Sequence, residues 1–302
     1  MYGPDTEIAL QRIQEWEQKG NVKGILDLCK LRLTSLPPLP ASLQLLNCRN
    51  TPLTTLPELP NSLQLLNCRN TPLTTLPELP ASLQELYCSN TLLTTLPELP
   101  NSLQWLYCGN TPLTMLPGLP TSLQTLWCNN TPLTKLPKLP ASLQLLNCSY
   151  TYVTTLPDLP NSLQTLSCFN TLLTKLPGLP SSLKELYCLD TPLTTLPTLP
   201  NSLQRLFCND TLLTTLPELP NSLYELGFDN CPNLIIQKKF NETIQDYNKR
   251  WKVVHELLRR DEIILRCKAV KEELMIRTWH PSRLLNWCLD EEERLDMLSY
   301  GE

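Results

Sequence analysis

Apolar residues return along most of this chain at a fixed interval of twenty. Residues 41–60 read ASLQLLNCRNTPLTTLPELP, and residues 61–80 repeat them with a single change at the first position. Nine full copies run from 41 to 220; degenerate copies at 21–40 and 221–240 bring the total to eleven. With Ala41 as place 1, leucine fills places 3, 6, 16 and 19 of every full copy, and place 13 is leucine except at Val153. Place 8 is cysteine in all nine full copies. Apolar places 6 and 8 alternate with variable places 5, 7 and 9. That period of two marks a short strand with one face inward. One such strand cannot bury its apolar face alone, whereas stacked copies share a continuous core. Each copy is therefore predicted to be one coil of a solenoid.

Prolines recur at places 17 and 20, and the chain holds 29 Pro against 8 Gly, so proline rigidity rather than glycine freedom shapes the return path. Two fixed prolines so close together exclude a helix there. They favour extended, polyproline-like backbone. The predicted fold is an α/β solenoid with short parallel strands on a concave face, a Pro-rich convex side, inward leucines at places 16 and 19, and helical caps at both ends.

Three segments follow: a capping helix over 1–20, a solenoid over 21–240 and a helical tail over 241–302. In the first, Asp5 or Thr6 can cap a helix whose apolar positions are Ile8, Leu10, Ile13 and Trp16. In the tail, Asn241 and Thr243 flank a helix start, and Ile244, Tyr247, Trp251, Val254 and Leu258 follow at helical spacing. A second helix is expected from Asp261 to about Thr278, and a shorter one from Ser282 to Leu289 after Pro281.

The repeat resembles the leucine-rich-repeat family, whose pattern LxxLxLxxNxL reads here as Leu63-x-x-Leu66-x-Cys68-x-x-Thr71-x-Leu73. The short copy with LPxLP is most similar to the repeat class of bacterial effector proteins injected into host cells. Two departures stand out. Cysteine replaces the aliphatic strand residue, and threonine replaces asparagine, which sits one place earlier at Asn50, Asn70, Asn90, Asn110, Asn130 and Asn170. The family's asparagine bonds loop amides inside the coil, and the resemblance implies that the Thr hydroxyls share or take over that task. A C-terminal stretch, Trp279-His280-Pro281-x-Arg283 with Trp287-Cys288-Leu289-Asp290, resembles segments on repeat proteins of giant DNA viruses.

The cysteine column has two readings, a metal or redox ladder and a row of small buried hydrophobes. Parallel side chains about 4.8 Å apart do not converge on a metal, and a disulfide needs Cβ atoms about 3.8 Å apart. The spacing therefore predicts packing. Unpaired thiols in that number imply a reducing compartment, so a cytoplasmic location is expected.

Variation between copies concentrates at places 5, 7 and 9, where a partner could touch. Aromatics gather there: Tyr87, Trp105, Tyr107 and Trp127 as one cluster, Phe169, Tyr187 and Phe207 as a second. Large exposed aromatics anchor protein interfaces, although they can also fill gaps between strands. Arg49 and Arg69 join this candidate surface, either to meet acidic groups or as solvated charges. The expected partner is a protein on the concave face of a monomer.

Little else points to chemistry. The net charge of −4 gives no electrostatic case for nucleic acid, and no apolar run approaches the ~18 residues of a membrane span. The N-terminus lacks the apolar core of a secretory signal. No phosphate-binding glycine loop or nucleophile elbow occurs, so no catalytic residue, cofactor, small-molecule substrate or metal is expected. Effectors of the resembled class often carry a ubiquitin-ligase domain with a catalytic Cys-x-Asp, a spacing matched by Cys288-Leu289-Asp290. The same spacing recurs inside the repeats at Cys188-Leu189-Asp190 and Cys208-Asn209-Asp210. The resemblance thus implies an interaction scaffold, with an adaptor or ligase-like use of the tail as the alternative. His255 and His280 show no zinc-finger spacing with cysteine; His280, Cys267 and Cys288 either pack or cap in the tail or meet there as zinc ligands.

Overall fold

The computed structural model describes residues 4–20, 24–234, 244–254 and 256. The chain divides into two units, Met1–Gln245 and Asp246–Glu302. In the first, eleven three-residue strands form one parallel sheet in sequence order, from β1 (Ile25–Asp27) and β2 (Leu45–Asn47), then every twenty residues, to β11 (Glu225–Gly227). Register runs place to place: Leu45, Leu46 and Asn47 lie opposite Leu65, Leu66 and Asn67. The period-2 pattern holds from β1 to the strand of Leu206, with the central leucine buried and its neighbours more open except Ser167; in β11 Leu226 is only half-buried.

Backbone pairing extends beyond the strands. The amide of Cys48 donates to Asn67 O at 2.8 Å, that of Asn50 to Arg69 O at 3.0 Å, and that of Gln64 to Gln44 O at 2.7 Å. Each coil opens with a tight turn in which the place-3 amide donates to the proline carbonyl three residues back, as Leu43 does to Pro40 at 3.0 Å. A serine sits inside every such turn. Ser62 Oγ donates to Leu43 O of the preceding coil at 2.7 Å, and the same bond recurs up to Ser222.

Leucines at places 3, 6 and 13 and the cysteines at place 8 are buried without exception in the full copies. The leucines at places 16 and 19 depart from the expected inward row. Leu136, Leu176 and Leu216 are buried, but Leu56, Leu76, Leu96 and Leu156 are only half covered. The prolines beside them have no amide hydrogen, so this side of the coil cannot knit to its neighbours by a full ladder.

Threonine at place 11 does something other than the resemblance implied. Its hydroxyl donates to the carbonyl of the cysteine three residues earlier, as Thr51 does to Cys48 at 2.7 Å and Thr131 to Cys128 at 2.7 Å. It therefore satisfies a buried carbonyl instead of accepting from loop amides. In the last coil Cys231 takes this place, and its thiol lies 3.2 Å from Cys208 O. The preceding residue, at place 10, has a positive φ in every coil, from Lys30 to Asn230. Asparagine enters that left-handed region more easily than other L residues, for which it costs roughly 1–2 kcal/mol. Exposed amides in this column also bond one another, Asn70 Nδ2 to Asn50 Oδ1 at 2.7 Å and Asn130 Nδ2 to Asn110 Oδ1 at 2.6 Å. Tyr150 is the bulky exception, at φ 55°.

Helix α1 (Pro4–Gln18) lies against β1. Its buried stripe is Ala9, Ile13 and Trp16, spaced by four and three. Ile8 is exposed and Leu10 only half-buried, which corrects their expected place in the apolar face. Both lie off the stripe that Ile13 and Trp16 define on a 3.6-residue helix. Arg12 donates to Asp27 O at 2.8 Å, and the Trp16 indole to Gly24 O at 2.8 Å. Asp5 does not cap its own helix; its carboxylate accepts the amide of Arg32.

In the second unit the described residues, 246–254 and 256, are helical, and Tyr247 is buried. The helices expected over 261–278 and 282–289 lie outside the described residues, as do His255, Cys267, His280 and Cys288.

Two outcomes follow from this packing. Replacing Thr131 by Val strands the Cys128 carbonyl and is expected to destabilise the solenoid by about 1–3 kcal/mol in urea unfolding. Thr134→Val, at an exposed site, is expected to change stability little. Equal effects would contradict the assigned hydrogen bond. Second, site-resolved labelling with a thiol reagent should modify Cys29, which is partly exposed, long before the buried series from Cys48 to Cys208. Burial pushes the Cys48, Cys88 and Cys148 thiols up to about 12, so neither access nor ionisation favours them. Labelling of the series at the rate of Cys29 would refute its burial.

Candidate partner-binding surface

A parallel sheet in place-to-place register brings residues of one place into a column, with neighbours about 4.8 Å apart. Along place 7 the sequence supplies Tyr87, Tyr107 and Trp127 from adjacent strands. Tyr87 and Tyr107 stack with centroids 4.9 Å apart and planes at 21°, and Tyr107 meets Trp127 at 5.4 Å, tilted by 44°. Arg69, at place 9 of the coil before Tyr87, lays its guanidinium over both tyrosines, 4.6 Å and 4.9 Å from their centroids. A cation held over aromatic faces is attracted by their quadrupoles. The Arg69 Nε is shielded from solvent and makes no hydrogen bond among the described residues. Tyr87 Oη donates to Glu85 Oε2 at 2.6 Å. Burial, followed by this bond to a carboxylate, pushes the Tyr87 phenol upward, so it remains a neutral donor.

Two members of the first expected cluster, Tyr87 and Tyr107, therefore pack against a cation. Trp105 lies half-buried on the same strand as Tyr107, at place 5, and takes part in none of these ring pairs. Trp127, at the end of the stack, is the most open of the four, 38 % exposed. Arg49 is exposed one coil before Arg69, and its amide lies 3.4 Å from the Asn47 side-chain oxygen. Gly109, beside the stack, gives Asn129 room: a Cβ there would meet Asn129 Oδ1 at 2.5 Å.

The second expected cluster divides in two. Tyr187 and Phe207 stack nearly parallel, 5.5 Å apart at 8°. Phe169 instead meets Tyr150 edge to face at 5.0 Å. Phe169 sits at place 9, on the side of the strand nearer place 10, whereas Tyr187 and Phe207 both stand at place 7. Sequence reading missed Tyr150, although the break in the asparagine column at that position was its signal. Beside the second pair, Arg205 bridges Glu185 at 3.3 Å and Glu225 at 2.9 Å across three strands. Between the two groups, Ser149 and Ser167 bury a hydroxyl pair at 2.8 Å.

The cysteine column behind this surface holds free thiols. Cys48, Cys68 and Cys128 lie 3.4–3.5 Å from carbonyls of the next coil. Cys188 and Cys208, which share the Cys-x-Asp spacing, are buried, and desolvation drives their thiols upward. A thiolate nucleophile requires the opposite environment. Among the described residues, no group of three or more His, Cys, Asp or Glu could hold a metal ion, and no helix is long and apolar enough to cross a membrane.

No protein-family model matches the chain, and no curated protein matches it. Solved structures do. YopM from Yersinia enterocolitica is 32 % identical over 66 % of this chain, with a TM-score of 0.57; the match spans 49 % of that protein, about half its length. YopM from Yersinia pestis, described as a leucine-rich effector protein, is 27 % identical over 82 % of this chain and 94 % of its own, with a TM-score of 0.42. InlJ from Listeria monocytogenes, whose functional domain is described as including a cysteine ladder, is 22 % identical over 74 % of this chain and 56 % of its own, with a TM-score of 0.52. With its parallel in-register strands, its LPxLP returns and its likeness to the first and third of these structures, the chain has the leucine-rich-repeat solenoid fold, built from twenty-residue coils.

Proposed function

We propose that the chain is a non-catalytic scaffold that binds a partner protein on its strand face, through Arg69, Tyr87, Trp105, Tyr107 and Trp127. The observation that carries this reading is the aromatic stack locked around the Arg69 guanidinium. Rigid aromatic and arginine side chains give up little conformational freedom on binding, and they dominate the energetics of protein interfaces. Arg49 and the pair Tyr187–Phe207 extend the contact to either side. Uncharged, unreactive thiols behind the sheet support a structural role for the cysteines. Their unpaired state supports a reducing, cytoplasmic setting. The resemblance of the short LPxLP coil to the repeat class of bacterial effectors supports a host-interaction factor of a pathogen or virus.

Trp105→Ala combined with Trp127→Ala should reduce recovery of the co-purifying partner at least about tenfold while leaving the unfolding midpoint nearly unchanged. Two further arms locate the contact. Tyr187→Ala is expected to weaken recovery less, and Glu58→Gln on the return side not at all. Undiminished recovery by the double variant would overturn the strand-face assignment.

A further inference from the structure

A second surface lies on the edge of the solenoid that carries places 10 and 12. Most coils hold Asn at place 10 and Pro at place 12; Leu92 departs singly, and the four successive coils over 141–220 each depart at one place or both. Tyr150 and Tyr152 are about half exposed, as are Leu172 and Leu212. Together with Asp190 and Asp210 they line an open groove of about 720 Å³. Every one of these six departs from the residue its column usually carries, Asn at place 10 or Pro at place 12. Four apolar side chains have replaced rigid or polar ones in solvent, where none of them adds to the core.

Tyr150 makes the point sharpest. It occupies a left-handed backbone position, φ 55°, that asparagine fills in most other coils. A bulky residue there is strained, and such outliers gather at binding sites. The Phe169 ring, edge-on at 5.0 Å, holds the Tyr150 ring in place. The two carboxylates stand one coil apart. Among the described residues, Asp210 accepts only the neutral amide of Asn230, at 2.9 Å, and no basic residue lines the groove. Among the described residues its charge is therefore unmet, in a groove that tyrosines and leucines also line.

We infer that this edge groove binds a segment of a partner protein that carries arginine or lysine beside an apolar side chain. The cation would meet Asp190 and Asp210, with the tyrosine faces available to it as well. The apolar side chain would cover Leu172 and Leu212. This surface is separate from the strand face and does not depend on that reading.

The test uses the full chain and fluorescence anisotropy. The probe is a short fluorescein-labelled peptide of arginine, serine and leucine; a matched peptide has glutamate in place of arginine. The arginine peptide should bind, more weakly at high salt, and the glutamate peptide should not. Asp190→Asn with Asp210→Asn restores the common residue of the column, and should weaken binding about tenfold or more. Glu58→Gln with Glu78→Gln removes the same charge elsewhere and should leave affinity unchanged. Tyr150→Asn should raise the unfolding temperature while weakening the peptide, which a purely structural tyrosine would not do. Trp105→Ala with Trp127→Ala should leave the peptide bound. No binding of the arginine peptide, equal binding of the glutamate peptide, or equal losses in the two charge-removing pairs would overturn the inference.

Discussion

Place-to-place stacking of one short parallel strand on the next is the constraint on which everything else rests. It buries a leucine and a cysteine from each full copy, and it forces every other residue to sit beside its own counterpart. A side chain in such a column must tolerate copies of itself about 4.8 Å away. Asparagine and serine do so by bonding to the next coil, and threonine by satisfying a carbonyl of its own. Like charges directly opposite repel, so a column such as Arg49 and Arg69 carries a cost that asparagine and serine columns do not. Elsewhere on the strand face opposite charges meet, as Arg205 does between Glu185 and Glu225, and the Arg69 guanidinium rests on tyrosine faces.

The coil length, the strand position, the parallel order and the inward set at places 3, 6, 8 and 13 were legible in the sequence because each repeats identically. What stayed hidden concerns direction rather than identity. That threonine sits inside follows from spacing, but whether its hydroxyl gives or accepts depends on which buried group lacks a partner. Here that group is the Cys128 carbonyl and its equivalents. The leucines at places 16 and 19 read as core by the same repetition. A Pro-rich return with few amides cannot seal over them, however, and exposure varies from coil to coil. In α1, hydrophobicity alone could not separate Ile8 from Ala9; only the rotation set by Ile13 and Trp16 does. Among the candidate surface residues, the place-7 column was readable as a stack, but the partner of Phe169 was not. Tyr150 lay in a column assigned to asparagine.

Cysteine at place 8 shows how the same constraint separates packing from chemistry. The position lies just past the strand, where its amide donates across to the next coil and its carbonyl takes the threonine hydroxyl. A thiol fills that space as a small hydrophobe and adds a weak donor, as Cys48 does toward Asn67 O at 3.4 Å. Neighbouring thiols and burial both oppose ionisation of Cys68. Parallel side chains a full strand spacing apart neither converge nor cross-link. A column that looks reactive by composition is thus held inert by geometry.

Departures from the repeat then carry the information that the repeat itself cannot. Gly227 is an instance at the C-terminal edge of the sheet. The place-7 column would continue there, but a Cβ would stand 2.8 Å from Phe207 Cδ1 and 2.6 Å from Asn209 Oδ1. Glycine lets the Phe207 ring lean over the last strand, so the aromatic column ends by lying down rather than by pointing into solvent. Trp127 ends the other stack differently. Its neighbour in the column is Asn147, too small to cover an indole, and the ring remains open. Two aromatic rows built from the same place on the same sheet thus end in opposite ways, one closed by a glycine and one left free. Sheet stability alone favours the closed end in both. The open indole at the end of the Tyr87–Tyr107 row is the feature on which the proposed strand-face contact rests.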